Sequence, residues 1–181
     1  SSTETFKIFP VDIDGDGKPD LAVVNLSYGT ASVFRNTGTI GIISFDPKVD
    51  FVTGPSPRSV AIADLDGDGK LDLAVANQNN NTVSVLRNTS TSGSITVGSF
   101  AGKVDFTTGS SPYSVSTGDL DGDGKPDLAV TNQGSDSISV LQNTSTIGSI
   151  TAGPFAGKVD FCVGNWPLGG ASGDVNSDGK P

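Results

Sequence analysis

The stretch Asp64-Leu-Asp66-Gly-Asp68-Gly-Lys70-Leu-Asp72 places carboxylates at positions 1, 3, 5 and 9 of a nine-residue loop, with glycine at position 6. Alternate side chains of such a loop can turn inward around one hard cation. The carbonyl of position 7 adds an oxygen, and the glycine permits the sharp turn. The chemistry is that of a Ca²⁺ loop; Mg²⁺ fits less well, because it demands tight octahedral geometry and keeps its water. The loop occurs intact over residues 12–20, 64–72 and 119–127. A partial copy over 174–181 keeps Asp174, Asn176, Asp178 and Lys180 but has no position-9 acid, and is expected to be weak, empty or completed by another segment. Solvated Asp-Gly turns without metal are a poor account, since four converging carboxylates repel strongly.

The elements that must position these loops are short strands. There are 24 Gly, 10 Pro, no His and no Met in 181 residues, the profile of strands joined by many turns. Nineteen of the 20 acidic residues are Asp, and twelve of those lie in the three complete loops. The net charge of −9 therefore concerns metal more than partners, and three Ca²⁺ would bring it to about −3. No basic patch argues for nucleic acid, and no apolar run approaches the roughly 18 residues of a membrane span. The lone Cys162 stands where Val52 and Thr107 stand in the other repeats and reads as a small strand residue.

Position 1 of the loops falls at 12, 64, 119 and 174, and other landmarks keep step. Lys-Val-Asp-Phe recurs at 48, 103 and 158, and Asn-Thr-x-Thr at 36, 88 and 143. The first repeat is three residues short between Asn36 and Lys48, so the flanking pieces are the rigid ones. A period of 50-odd residues points to propeller blades. Each repeat reads as four strands: one entering the loop (59–63), one leaving it and apolar on both faces (73–77), one after a polar turn (82–87), and one holding Lys-Val-Asp-Phe (102–107). The expected fold is an all-β propeller segment over 1–181, of four-stranded antiparallel blades, three complete and one partial. Three blades do not close a ring, so a second copy or a longer chain is expected to complete it.

The strands around each loop decide which kind of calcium loop it is. An EF-hand needs an acid at position 12 and flanking helices; Val23, Val75 and Val130 stand there instead. Dockerin-type loops also lead into helices, and thrombospondin-type repeats bring cysteines. The segments 60–75 and 115–130, Val-Ala-Ile-Ala-Asp-Leu-Asp-Gly-Asp-Gly-Lys-Leu-Asp-Leu-Ala-Val and its counterpart, resemble the FG-GAP/VCBS repeat family. Its calcium-binding blades include those of the integrin α-subunit propeller. The Phe-Gly and Gly-Ala-Pro signatures of the integrin version are not evident, which places the resemblance nearer the VCBS-like branch. The resemblance implies ligands Asp12, Asp14, Asp16, the Lys18 carbonyl and Asp20. In the second loop it implies Asp64, Asp66, Asp68, the Lys70 carbonyl and Asp72; in the third, Asp119, Asp121, Asp123, the Lys125 carbonyl and Asp127. Low affinity of the extracellular kind, roughly 10⁻⁴–10⁻³ M, suits a secreted or cell-surface protein.

Absence of His removes histidine triads and the usual general base. Asp50, Asp105 and Asp160 recur once per repeat, as structural residues do. The expectation is a non-enzymatic binding or adhesion module, glycan- or protein-directed and lectin-like. The alternative is an accessory propeller of a larger secreted enzyme or toxin, a polysaccharide lyase among them. If the calcium loop joins strands 1 and 2, the 2–3 turns and the 4–1 connections share the opposite face. Residues departing from the repeat there are Tyr28, Arg58, Asn80, Tyr113 and Trp166. Trp166 is either a stacking platform for a ligand or a plug at a blade junction.

Overall fold

The computed structural model describes residues 9–151, 153, 155–170 and 173. It contains three four-stranded antiparallel sheets, each built from consecutive strands in chain order. The first holds β1 (Phe9–Val11), β2 (Asp20–Asn25), β3 (Thr30–Phe34) and β4 (Val49–Val52). The second holds β5 (Pro57–Ala63), β6 (Asp72–Asn77), β7 (Thr82–Leu86) and β8 (Val104–Thr107). The third holds β9 (Pro112–Gly118), β10 (Asp127–Asn132), β11 (Ser137–Leu141) and β12 (Val159–Cys162). One 3₁₀ turn, Gln78–Asn80, is the sole helical element among the described residues. The fold is the expected one, blades of an all-β propeller that do not close into a ring.

The two-sided apolar pattern of the second strands has its cause in stacking. All six residues of β6 are buried, because the second sheet is covered on both faces. Ala22, Val24, Ala31, Val33 and Phe51 of the first sheet pack against Val60, Leu73, Val75, Leu86 and Phe100. Ala74, Ala76, Val83, Val85 and Phe106 of the second pack against Val115, Leu128, Val130, Leu141 and Phe155. Each junction is closed by an edge-to-face aromatic pair, Phe51–Phe100 at 4.7 Å and Phe106–Phe155 at 5.0 Å between centroids. β7 reads as alternating in sequence, yet Val83 to Leu86 are all buried: one face meets a neighbouring sheet, and Ser84 sits in a hydrogen-bond network.

That network explains the recurring Lys-Val-Asp-Phe. In the second sheet Lys103 pairs with Asp105, Ser84 Oγ donates to Asp105 at 2.5 Å, and Asn77 Nδ2 donates to Ser84 at 2.8 Å. The first sheet repeats this chain with Lys48, Asp50, Ser32 and Asn25. The third repeats it with Lys158, Asp160, Ser139 and Asn132. Lys48 and then Ser32 hold the Asp50 carboxyl below its usual range, and Lys158 and Ser139 do the same for Asp160. These aspartates tie the outer strand to the third strand.

Neighbouring sheets also meet through a glycine. Gly54 N–H donates to Asn77 Oδ1 at 3.0 Å, and a Cβ at Gly54 would lie 2.6 Å from the Asn77 side chain. A Cβ at Gly109 would lie 2.6 Å from Asn132 Nδ2. Here glycine serves close approach between sheets. The equivalent Gly164 faces open space among the described residues. Phe161, equivalent to the buried Phe51 and Phe106, is 55% exposed. Cys162 lies in a strand as expected and is exposed, as are its counterparts Val52 and Thr107.

The three-residue difference between repeats is confined to one turn. Bridges Thr39↔Ile42 and Asn36↔Phe45 in the first connector match Thr91↔Ser94 and Asn88↔Phe100 in the second. The shortening therefore falls between Ile42 and Phe45, where the longer connector holds the Thr96–Ser99 turn.

Candidate metal centre

Each loop joins the first and second strands of its sheet. Gly17, Gly69 and Gly124, at position 6, have φ of 86°, 86° and 87°, the left-handed conformation that the turn requires. The position-1 carboxylate organises the turn from within. Asp12 Oδ1 accepts from Gly15 N–H and its Oδ2 from Gly17 N–H, both at 2.8 Å; Asp119 does the same with Gly122 and Gly124. The position-9 carboxylate fastens the loop to the third strand's exit. Asp72 Oδ2 accepts from Leu65 N–H at 2.9 Å and Oδ1 from Asn88 N–H at 2.7 Å. Asp20 and Asp127 repeat both bonds.

The loops bring together the aspartates of positions 1, 3 and 9: Asp12, Asp14 and Asp20; Asp64, Asp66 and Asp72; Asp119, Asp121 and Asp127. Within each group one oxygen per residue lies within 4.8 Å of the others. Asp16, Asp68 and Asp123, at position 5, fall outside these groups. Asp16 and Asp68 turn one oxygen to an arginine: Arg35 Nη2 lies 2.8 Å from Asp16 Oδ2, and Arg87 Nη2 lies 2.8 Å from Asp68 Oδ2. The expected fourth group, Asp174, Asn176, Asp178 and Lys180, lies outside the described residues.

Electrostatics favours a cation at these groups. Burial pushes the Asp72 carboxyl up to about 7, against two backbone N–H bonds that lower it, with the charges of Asp66 and Asp68 adding to the rise. Burial also raises Asp20, helped by the charge of Asp14. Desolvated carboxylates crowded in this way are stabilised in their charged form by a nearby positive ion. The donor set contains only hard oxygens, which suits Ca²⁺ and not a soft metal. The three Asp triads, buried or half-buried except for the exposed Asp121, can therefore hold a metal ion.

Two residue types that the sequence reading left unused are part of this site. The first is the arginine of blades one and two. Arg35 Nε also bonds Asp14 Oδ2 at 2.8 Å, and Arg87 Nε bonds Asp66 Oδ2 at 2.5 Å. The second is the asparagine of Asn-Thr-x-Thr. Asn88 Nδ2 donates across the sheet junction to the Ile13 carbonyl at 2.8 Å, and Asn143 Nδ2 to the Leu65 carbonyl at 2.8 Å. Both side chains are fully buried, so their Asn-x-Thr/Ser pattern is a packing motif. Their constant spacing from the loop is the signal that marks them.

The opposite face is built as the strand order implies. The 4–1 connections touch the 2–3 turns through Thr53 N–H to Gly29 O and Gln78 N–H to Ser56 O, at 2.9 and 3.0 Å. Of the five irregular residues there, Arg58 and Tyr113 meet, the guanidinium lying 5.5 Å from the ring centroid. Arg58 also bonds Gln78 Oε1 at 2.8 Å. Asn80 holds its own turn by accepting from Thr82 Oγ1, and Tyr28 is 84% exposed. Trp166 is 70% exposed among the described residues, beside the outer sheet face where Phe161 is exposed too.

A model of the FG-GAP-like repeat matches residues 12–75 and 64–130, and one of the FG-GAP repeat matches 111–153. No curated protein and no solved structure matches the chain. The first two matches alone span well over half of the sequence, and each runs from one aspartate loop through the second, third and fourth strands of its sheet and the first strand of the following sheet into the next loop. Loop, hairpin and stacked sheet recur together as that repeat prescribes, and the chain belongs to the FG-GAP repeat family.

Proposed function

We propose that the protein is a calcium-stabilised, non-enzymatic binding module of the extracellular kind, secreted or on a cell surface, with recognition on the face opposite the calcium loops. The thrice-repeated aspartate triad within FG-GAP repeats carries the reading. Ca²⁺ would be held by Asp12, Asp14, Asp16, the Lys18 carbonyl and Asp20, and by their counterparts in the other two loops. The ion supplies a positive centre that offsets the desolvated carboxylates. The protein's own residues close the hairpin: the loop N–H groups orient positions 1, 3 and 5, and position 9 ties it to the next hairpin.

Trp166 is the strongest candidate for ligand contact, for glycan or for protein. Its φ of 58° matches Ser56 and Ser111 at the equivalent positions, with φ of 54° and 53°. A bulky residue in that conformation carries strain of about 1 kcal/mol or more, and such strain gathers at binding sites. Its N–H is held by Asp136 Oδ1 at 2.8 Å, leaving the indole outward. Trp166→Ala is expected to abolish glycan binding on an array while leaving the melting temperature within about 2 °C, as for a surface substitution. Equal binding by both proteins, or none by either, overturns the assignment.

The outer sheet faces fit further sheets of the same repeat. Among the described residues Asn36 has no cross-sheet carbonyl such as Asn88 and Asn143 have, and Phe161 has no edge-to-face partner. Sedimentation with calcium identifies their source. Twice the 18.3 kDa chain mass indicates a second copy, and the single mass indicates sheets of a longer protein.

A further inference from the structure

The three loops are alike in backbone and differ in one neighbour. The residue preceding Asn-Thr is Arg35 in the first sheet, Arg87 in the second and Gln142 in the third. Both arginines bridge positions 3 and 5 of their loop through Nε and Nη2, at 2.5–2.8 Å. Asp14 and Asp16 then have every oxygen engaged, since Asp14 Oδ1 accepts from Asp16 N–H and Asp16 Oδ1 from Lys18 N–H. Among the described residues Gln142 Nε2 bonds only Asp121, without charge. Asp123 Oδ2 has the Lys125 ammonium at 4.0 Å. Gly93 and Gly148, in the next sheet's connector, lie beside these guanidinium groups: a Cβ there would stand in ordinary contact, 3.5 and 3.4 Å from Nη2 of Arg35 and Arg87.

Resting on the calcium reading, we propose that Arg35 and Arg87 are fixed counter-cations that lower calcium affinity at the first two loops, leaving the loop beside Gln142 as the tightest site. A guanidinium at two of four carboxylates reduces the charge available to the ion, and ligand charge count is a main determinant of affinity in such loops. It also occupies Oδ2 of position 3, for which an incoming cation must compete. The first two loops keep their shape through arginine when calcium is scarce, and the third depends on the ion.

Calcium titration by calorimetry tests this on the whole chain, in wild type, Arg87→Gln and Gln142→Arg. Glutamine is what the third sheet itself carries, so the position accommodates it. Wild type is expected to show one site on the order of tenfold tighter than two others, the scale over which ligand charge tunes these loops. Gln142→Arg is expected to remove the tight class, and Arg87→Gln to create a second. Residues 174–180 are common to all three proteins and cancel in the comparison. A melt in chelator controls for folding: Arg87→Gln should melt lower than wild type there and regain more on adding calcium. Equal affinities in all three proteins overturn the arginine proposal while leaving calcium binding intact. Absence of calcium heat in every variant overturns both.

Discussion

Chelation with EDTA is expected to lower the melting temperature by about 15 °C or more relative to calcium-saturated protein. A site occupied at a hundredfold excess over its dissociation constant contributes about 2.7 kcal/mol, so three sites contribute roughly 8 kcal/mol. That rivals the whole stability of many domains, about 5–15 kcal/mol, and converts at about 2–4 °C per kcal/mol for a chain of this length. Its structural basis is the clustering of Asp64, Asp66 and Asp72, with Asp72 raised to about 7 by burial. Removing a cation leaves that desolvated charge uncompensated. Scanning calorimetry with matched NaCl and MgCl₂ controls separates a specific effect from screening. A melt unchanged by chelator would remove the structural role of calcium from the account.

Asn143→Ala is expected to destabilise the protein by about 3 kcal/mol, and Asn36→Ala by about 1 kcal/mol. Both side chains accept a loop N–H two residues on: Ser145 for Asn143 and Gly38 for Asn36, at 2.9 and 2.8 Å. Both donate to the residue before the position-9 aspartate, Pro126 and Pro19. Only Asn143 reaches across to another sheet, at the Leu65 carbonyl, and only Asn143 is fully buried. Its loss leaves the buried Ser145 N–H unsatisfied, at about 1–3 kcal/mol, and takes the donor from the half-buried Pro126 carbonyl as well. Leu65 retains the Ser145 hydroxyl, at 2.9 Å. Urea unfolding of the two variants measures the difference directly. Equal destabilisation would mean that the bond between sheets contributes nothing beyond the local turn.

Much of the architecture was legible because its causes are local. The loop from Asp64 to Asp72 contains its own turn chemistry, with glycine where φ must be positive. Leu73 to Ala76 is apolar at successive residues, which only a sheet covered on both faces explains. The chain order of strands then followed from hairpins. Strand ends were less legible: β5 begins at Pro57, two residues before the expected start, because Pro57 still pairs with Asn77 across a register shift. The partner of a position-5 aspartate is also illegible in the loop itself: Asp16 and Asp68 each meet an arginine 19 residues on.

The sequence by itself determined the repeat, the all-β class, the aspartate loops and the face on which they lie. The repeat shows as recurrence of whole motifs along the chain; the other properties depend on residue spacing within about 25 positions, where side-chain periodicity and turn chemistry act directly. Tertiary structure alone decided what the sheets do to one another. It buries Asn88 and Asn143 as bridges between blades and presses Gly54 against Asn77. It also exposes Trp166 and sets Arg35 and Arg87, but not Gln142, as charged partners of their loops. Partners such as Asn88 and Ile13, 75 residues apart, or Ser145 and Leu65, 80 apart, are chosen by the stacking of whole sheets, and no local pattern encodes which side chain then meets which carbonyl.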